Sequence, residues 1–335
     1  MAPLLEIKNL KKYFNTPRGQ LHAVDGVSFT VDKGQTLGVV GESGCGKSTL
    51  GRTLLHLLEP TSGTILFEGN DITIVKKKEL HGLRQDMQMI FQDPFSSINP
   101  RMTVAQIIGE PLKIYGIHKD EASYRKHVLE LMDTVGLAES MENKYPHEMD
   151  GGRRQRIGIA RALALNPKFV VCDEPVSALD VSIQAQILNL MKDLQKKREL
   201  TYMFITHDLS VVKHISDHIC VMYLGMLVEK CSSADLFRNP FHPYTKALLS
   251  AIPQPKLEQR ERILLKGEIS SPINVKPGCR FAPRCPECRG KCRRVTPELK
   301  EVAPGHFVAC HFTERINILL GTQNCEECAE GTNEE

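Results

Sequence analysis

Apolar residues in the first part of the chain fall in short runs separated by helix-length segments. Leu4 to Lys8 and Val24 to Val31 read as strands around a turn at Asn15-Thr16-Pro17-Arg18-Gly19, with Asp32-Lys33-Gly34 as the next turn. Thr36 to Val40 is an apolar, β-branched run that stops at Gly41, and Ser48 to Leu58 follows with helical spacing. Further runs stand at Ile65 to Phe67, Met87 to Phe91, Phe169 to Cys172, Met203 to Thr206 and His218 to Tyr223. Strands alternating with helices predict an α/β fold with a largely parallel sheet. Between Gln92 and Gln155 the pattern changes: Thr103 to Leu112 and Glu121 to Val135 are helical and no strand pattern intervenes, which predicts a helical insertion. Beyond Lys230 proline becomes frequent, marking a linker and then an irregular module rich in cysteine. Gln323 to Glu335 reads as a polar, acidic tail.

Composition sharpens this picture in three ways. With 335 residues, 41% hydrophobic and 25% charged, the chain has room for a full core in a large domain plus an appendage. No apolar stretch approaches the roughly 18 to 20 residues of a spanning helix, and Glu6 and Lys8 interrupt any leader-like start, so a membrane role is expected to run through a partner. A net charge of +3 gives no argument for nucleic acid. Cys45, Cys172, Cys220 and Cys231 are scattered, whereas Cys279, Cys285, Cys288, Cys292, Cys310, Cys325 and Cys328 crowd the end of the chain. Clustered thiols in a reducing compartment point to metal binding or redox chemistry rather than structural disulfides.

Gly41, Glu42, Ser43, Gly44, Cys45, Gly46, Lys47, Ser48 and Thr49 form a P-loop between a predicted strand and helix, the context in which this pattern carries meaning. Its glycines let backbone N–H groups wrap phosphates, the helix dipole favours the anion, Lys47 reaches the β- and γ-phosphates, and Ser48 is a magnesium ligand. Phe169 to Glu174 is an apolar strand that ends in two carboxylates, fitted for one to hold the metal (Asp173) and one to polarise water as general base (Glu174). Gln92, Asp180 and His207 are polar residues just beyond other apolar runs.

In this order the motifs resemble those of the ATP-binding cassette ATPases, and closely those of the subunits that power oligopeptide, dipeptide and nickel importers. The resemblance runs from about Leu4 to Lys230. Phe91 to Met102, Leu236 to Leu248 and Pro277 to Pro286 extend it to about His311. It implies a P-loop NTPase (RecA-like) core with an antiparallel β subdomain in 1–230, a helical subdomain at about 93–156, and a C-terminal extension in 231–335. It further implies that Phe14, or its neighbour Tyr13, stacks on adenine, that Gln92 contacts the magnesium and couples it to the membrane subunits, and that His207 touches the γ-phosphate. In the family, two such chains sandwich ATP between one P-loop and the partner's signature. The expected partners are therefore a paralogous ATPase subunit, two transmembrane permeases and, indirectly, an extracytoplasmic peptide-binding protein, at the cytoplasmic face of the membrane. A nickel importer is the alternative. A soluble cassette acting on nucleic acid is disfavoured by the single cassette and the importer-type tail.

The signature departs from the family's Leu-Ser-Gly-Gly-Gln: it reads Met149, Asp150, Gly151, Gly152, Arg153. A carboxylate set against a γ-phosphate would repel by about 4 kcal/mol per unit charge at roughly 4 Å and an effective dielectric near 20. A homodimer would carry that defect twice, so a heterodimer is expected. The resemblance also implies a 4Fe-4S cluster on Cys279, Cys285, Cys292 and Cys310, which match the family's spacing. Cys285 and Cys288 with Cys292 and Cys310 or His311 could instead hold zinc. Lys276, Arg280, Arg284, Arg289, Lys291, Arg293 and Arg294 surround the thiols and are read as neutralising an anionic centre.

Overall fold

The structure, a computed structural model, describes residues 2–252, 263–265, 267 and 271–313. The chain opens with a long hairpin, β1 (Leu5–Thr16) and β2 (Gly19–Val31), and enters the core as β3 (Thr36–Val40). The P-loop leads from β3 into α1 (Lys47–Leu54). This helix stops short of the expected Leu58 because His56 takes a left-handed φ of 53°. After β4 (Ser62–Phe67), β5 (Asn70–Asp71), α2 (Lys77–Asp86) and β6 (Met87–Ile90), the chain turns helical through α3 (Pro94–Ser97), α4 (Val104–Ile114), α5 (Glu121–Thr134) and α6 (Gly151–Leu163). Caps explain where these helices begin: Thr103 and Gln106 form a reciprocal capping box on α4, and Asp120 accepts the Ser123 N–H at the start of α5.

The core resumes with β7 (Phe169–Asp173), α7 (Val181–Arg198), β8 (Thr201–Thr206), α8 (Leu209–Ile215), β9 (His218–Tyr223) and β10 (Met226–Ser232). Helices α9 (Ser233–Arg238) and α10 (Pro243–Ser250) and the strands β11 (Lys300–Ala303) and β12 (His306–Val308) belong to the C-terminal extension. Among the described residues two sheets form: a four-stranded antiparallel one in the order β2-β1-β4-β5, and an eight-stranded one in the order β11-β12-β10-β9-β3-β8-β7-β6. Strands β9, β3, β8, β7 and β6 are mutually parallel. Strand β3 is buried at every position, as its unbroken apolar run requires of a central parallel strand.

The extension is less separate than its sequence suggests. Strand β12 pairs antiparallel with β10, matching Glu229 with Val308 and Lys230 with Phe307, so the cysteine-bearing segment continues the ATPase sheet. A fully buried carboxylate secures the junction. Glu229 accepts the Phe241 N–H at 2.8 Å, the His242 N–H at 3.0 Å and the His306 Nε2 at 2.7 Å. Phe281 of the extension packs in one apolar cluster with Tyr223, Tyr244 and Val228. No helix among the described residues is long and apolar enough to cross a membrane.

Candidate nucleotide site

Parallel strands deliver the site residues to one edge of the sheet, since β3, β7 and β8 run side by side and end at Val40, Asp173 and Thr206. The P-loop leaves β3 at Gly41, whose added Cβ would lie 2.2 Å from the Met222 carbonyl oxygen, so only glycine fits. Gly46 caps α1 with φ of 104°, and a Cβ there would meet the Ala23 carbonyl at 2.0 Å. Ser43 and Gly44 are exposed at the loop's tip and Cys45 is buried behind it. Lys47 is buried, with Nζ donating to the carbonyls of Gly41 at 2.7 Å and Glu42 at 3.0 Å.

Two oxygen donors stand together beneath this loop: Ser48 Oγ donates to Asp173 Oδ1 at 2.7 Å. Burial raises the Asp173 pKa, against the opposing pull of the Ser48 hydrogen bond, Arg52 and Lys47. A hydroxyl oxygen beside a desolvated carboxylate suits a small divalent cation such as magnesium. Glu174 occupies a left-handed backbone position, φ 48°, its N–H held by the Ile205 carbonyl at 2.9 Å. That strained turn aims its carboxylate between two groups: Gln92 Nε2 donates at 3.1 Å and His207 Nδ1 lies at 3.1 Å. Gln92 is thus joined to Glu174 rather than to the Ser48 and Asp173 pair.

A family model described as "ABC transporter" matches residues 24–177, and one described as "Oligopeptide/dipeptide transporter, C-terminal region" matches residues 228–292. Among similar proteins are two from Bacillus subtilis (strain 168). The oligopeptide transport ATP-binding protein AppF is 53% identical over 320 residues, covering 92% of this chain and 97% of its own. The oligopeptide transport ATP-binding protein OppF is 54% identical over 313 residues, covering 93% and 97%. The chain belongs to the ATP-binding cassette family, in its oligopeptide/dipeptide transporter branch. It is an ATPase of that family. The fold agrees: the ATP-binding cassette MJ0796 in a post-hydrolysis dimer with ADP and Pi superposes with a TM-score of 0.63 at 27% identity, covering 68% of this chain and 98% of that one. The structure of cbiO1 from Clostridium perfringens gives 0.64 at 28%, covering 71% and 92%.

Other residues expected at the site of this cassette protein stand on β1 and at the start of α6. Tyr13 stacks on His22 with ring centroids 4.0 Å apart, and its hydroxyl is tied to Asp25, which also meets Arg280. Phe14 has Lys12 Nζ at 4.9 Å from its ring. Tyr13 is therefore committed to an internal network. Asp150 caps α6, accepting the Arg153 N–H at 2.8 Å, and Arg153 Nε sits 3.4 Å from its other oxygen. The carboxylate thus keeps the capping role that a serine would have, and its charge is partly answered within its own turn. Gly151 and Gly152 pack closely on Leu179 and Ile183, so the signature turn leans on the loop that contains Asp180.

In the extension, Cys279, Cys285, Cys292 and Cys310 all line one small pocket, together with Phe281 and Phe312. Cys288 is outside it, its Sγ directed at the Arg289 carbonyl. Four soft donors line this pocket, the donor type that a metal–thiolate centre uses. Among the described residues, however, no three His, Cys, Asp or Glu side chains form a set that could hold a metal ion. Cys325, Cys328 and the acidic tail lie outside the described residues. The basic residues correct one expectation. Arg280 and Arg284 do not serve the thiols alone: they pair with Asp25 and Glu42 of the ATPase. Sequence reasoning missed these pairs and Tyr244, although Arg280 and Arg284 stand in the Pro277 to Pro286 segment and Tyr244 in the Leu236 to Leu248 segment.

Proposed function

We propose that the chain energises the import of peptides from the cytoplasmic face of the cell membrane. It would work as one half of a heterodimeric ATPase pair on two transmembrane permeases, supplied by an extracytoplasmic peptide-binding protein. The observation that supports ATP hydrolysis is the placement of Glu174 between Gln92 and His207, with Ser48 bonded to Asp173, and peptide import is supported by the likeness to oligopeptide transport ATP-binding proteins. Residues 1–230 form the ATPase, with its helical subdomain at about 93–156, and 231–335 form the extension.

In this reading Phe14 stacks on the adenine, and the N–H groups of Gly44 to Thr49 with Lys47 hold the phosphates. Ser48 and Asp173 would hold magnesium, which when bound neutralises charge on the phosphates. Glu174 takes the proton of the attacking water, and His207, hydrogen-bonded to that carboxylate, contacts the γ-phosphate. Gln92, on the other side of the carboxylate, senses the same event and passes it to the helical subdomain, which grips the permease. Asp150, Gly151 and Gly152 face the partner's ATP. The carboxylate at 150 impairs that half, so the partner carries an intact signature. Cys279, Cys285, Cys292 and Cys310 would hold a 4Fe-4S cluster with a structural or regulatory role.

The test is purification from the native membrane followed by reconstitution. Copurification with two polytopic proteins and a paralogue, and ATP hydrolysis stimulated by a peptide-loaded binding protein, are expected. Hydrolysis in the reconstituted complex that no peptide stimulates would refute the assignment.

A further inference from the structure

Glu42 is the point where the extension meets the P-loop. Its carboxylate is held by a two-pronged ion pair from Arg284, Nη1 to Oε2 at 2.6 Å and Nη2 to Oε1 at 2.9 Å. Its N–H donates to the Tyr244 hydroxyl at 2.8 Å, and its carbonyl accepts from Lys47 Nζ. Every polar group of this residue is therefore engaged: two by the extension and one by the lysine that reaches for phosphate. Arg284 and Tyr244 are themselves rigid. Arg284 is buried, and Tyr244, fully buried, packs edge-on against Tyr223 with centroids 4.8 Å apart. A planar guanidinium paired with both oxygens of a carboxylate fixes orientation as well as distance.

A second arm reaches the other side of the same loop. Arg280 donates to the Leu224 carbonyl and to Asp25. The next residue, Gly225, donates its N–H to the Cys45 carbonyl at 2.8 Å and accepts from the Asp25 N–H at 2.8 Å. Both arginines stand in the turn that carries Cys279 and Cys285, and the Arg284 N–H closes that turn on the Phe281 carbonyl at 3.0 Å. The cysteine-bearing turn and the two arms are one element.

We infer that the cysteine module is part of the nucleotide-binding machinery, with Arg284 and Tyr244 as positioning residues that hold the P-loop open for ATP through Glu42, and Arg280 supporting its far side. Loss of an arm lets the loop relax around Lys47 and weakens binding without touching the hydrolytic carboxylate. The inference rests on the reading that the P-loop binds ATP, and the control below separates the two.

The experiment measures Mg·ATP binding to the full chain, purified anaerobically, in a Glu174→Gln background that prevents turnover, with Tm recorded for each variant. Arg284→Ala is expected to weaken binding about tenfold, equivalent to about 1.4 kcal/mol. Arg284→Lys should recover part of the loss by keeping the charge without the fork, and Glu42→Arg combined with Arg284→Glu should recover it by reversing the pair. Tyr244→Phe, which removes one oxygen from a fully packed ring, is the mild variant should Arg284→Ala fail to fold, and is expected to weaken binding about threefold, or about 0.7 kcal/mol. In the assembled complex with Glu174 intact, KM for ATP should rise while kcat changes less than twofold. Unchanged binding with a lowered Tm, or binding that follows Tm with no recovery in the reversed pair, would reduce the contacts to simple fold support and overturn the inference. Lys47→Ala is the control: if it alone abolishes binding, the P-loop reading stands and only the positioning role falls. If Lys47→Ala binds normally, the P-loop reading itself fails.

Discussion

Replacing Glu229 with alanine removes an acceptor that three buried donors share: the N–H groups of Phe241 and His242 and the Nε2 of His306. A buried donor left without a partner costs about 1–3 kcal/mol. With some relaxation and water entry around the hole, Glu229→Ala should destabilise by about 3–6 kcal/mol. Glu229→Gln is the informative companion. It keeps one acceptor oxygen but turns an NH2 group on at least one donor, so its expected cost is smaller, about 1–3 kcal/mol. A kcal/mol moves Tm by about 2–4 °C in domains of 150–250 residues, and the alanine variant should melt on the order of 10 °C lower. Hydrogen exchange gives the local readout. Amides of Phe307 and Val308, whose strand is tied to β10 through this carboxylate, should lose protection first, while those of β3 keep theirs. A Tm shift below about 3 °C in the alanine variant, with β12 exchange unchanged, would show that the carboxylate is not what fastens the extension to the sheet.

Other outcomes are equally accessible. Glu174→Gln should retain ATP binding and lose hydrolysis by about 100-fold or more, whereas Lys47→Ala should weaken binding itself; similar phenotypes in single-turnover and binding assays would contradict the roles given to them. Gly46→Ala combines a φ of 104° with a Cβ at 2.0 Å from the Ala23 carbonyl, so it should lower Tm and abolish nucleotide binding, and a variant that bound normally would show the loop to be more pliant than its packing indicates. Anaerobic preparations are expected to contain about four iron atoms per chain, to lose them on Cys292→Ser and to keep them on Cys288→Ser; stoichiometric zinc without iron would refute the cluster. Burial pushes the Asp25 pKa up, but hydrogen bonds from Tyr13 and His22 and the nearby Arg280 outweigh it, and the net shift is downward. The stability this lends is complete above the ordinary value of 3.8 and disappears as pH falls through the lowered one, so Asp25→Asn should flatten the acid limb of a urea-stability profile. An unchanged limb would assign acid sensitivity elsewhere.

The P-loop could be read directly because its meaning is local: nine consecutive residues, with a strand before and a helix after. The convergence of Gln92, Glu174 and His207 could not be obtained from spacing, since Gln92 and Glu174 are 82 positions apart; only the resemblance to a family grouped them. Strand β10 was invisible for a physical reason. Glu229 breaks its apolar run, and the histidine that makes a buried carboxylate tolerable lies 77 residues further on. The same holds for the arms on the P-loop, whose partners are 242 and 255 positions apart in sequence. In the bare sequence those arginines are simply cations near thiols, and the reading as charge neutralisers followed from that. Long-range ion pairs leave no periodicity, so only the folded chain reveals them.

The pairing of β12 with β10 has a consequence for how this protein keeps to itself in a crowded cell. Without the C-terminal hairpin, the sheet would end at β10, a strand with Leu227, Val228 and Cys231 buried along it and unmet N–H and C=O groups on its open side. Such a border invites another chain to add its own strand. With the hairpin in place the border moves out to β11, which is only four residues long and begins with the exposed charges of Lys300 and Glu301. A chain cut after Ser232 would therefore keep its entire P-loop, Asp173 and Glu174, yet it would tend to stick to its own copies.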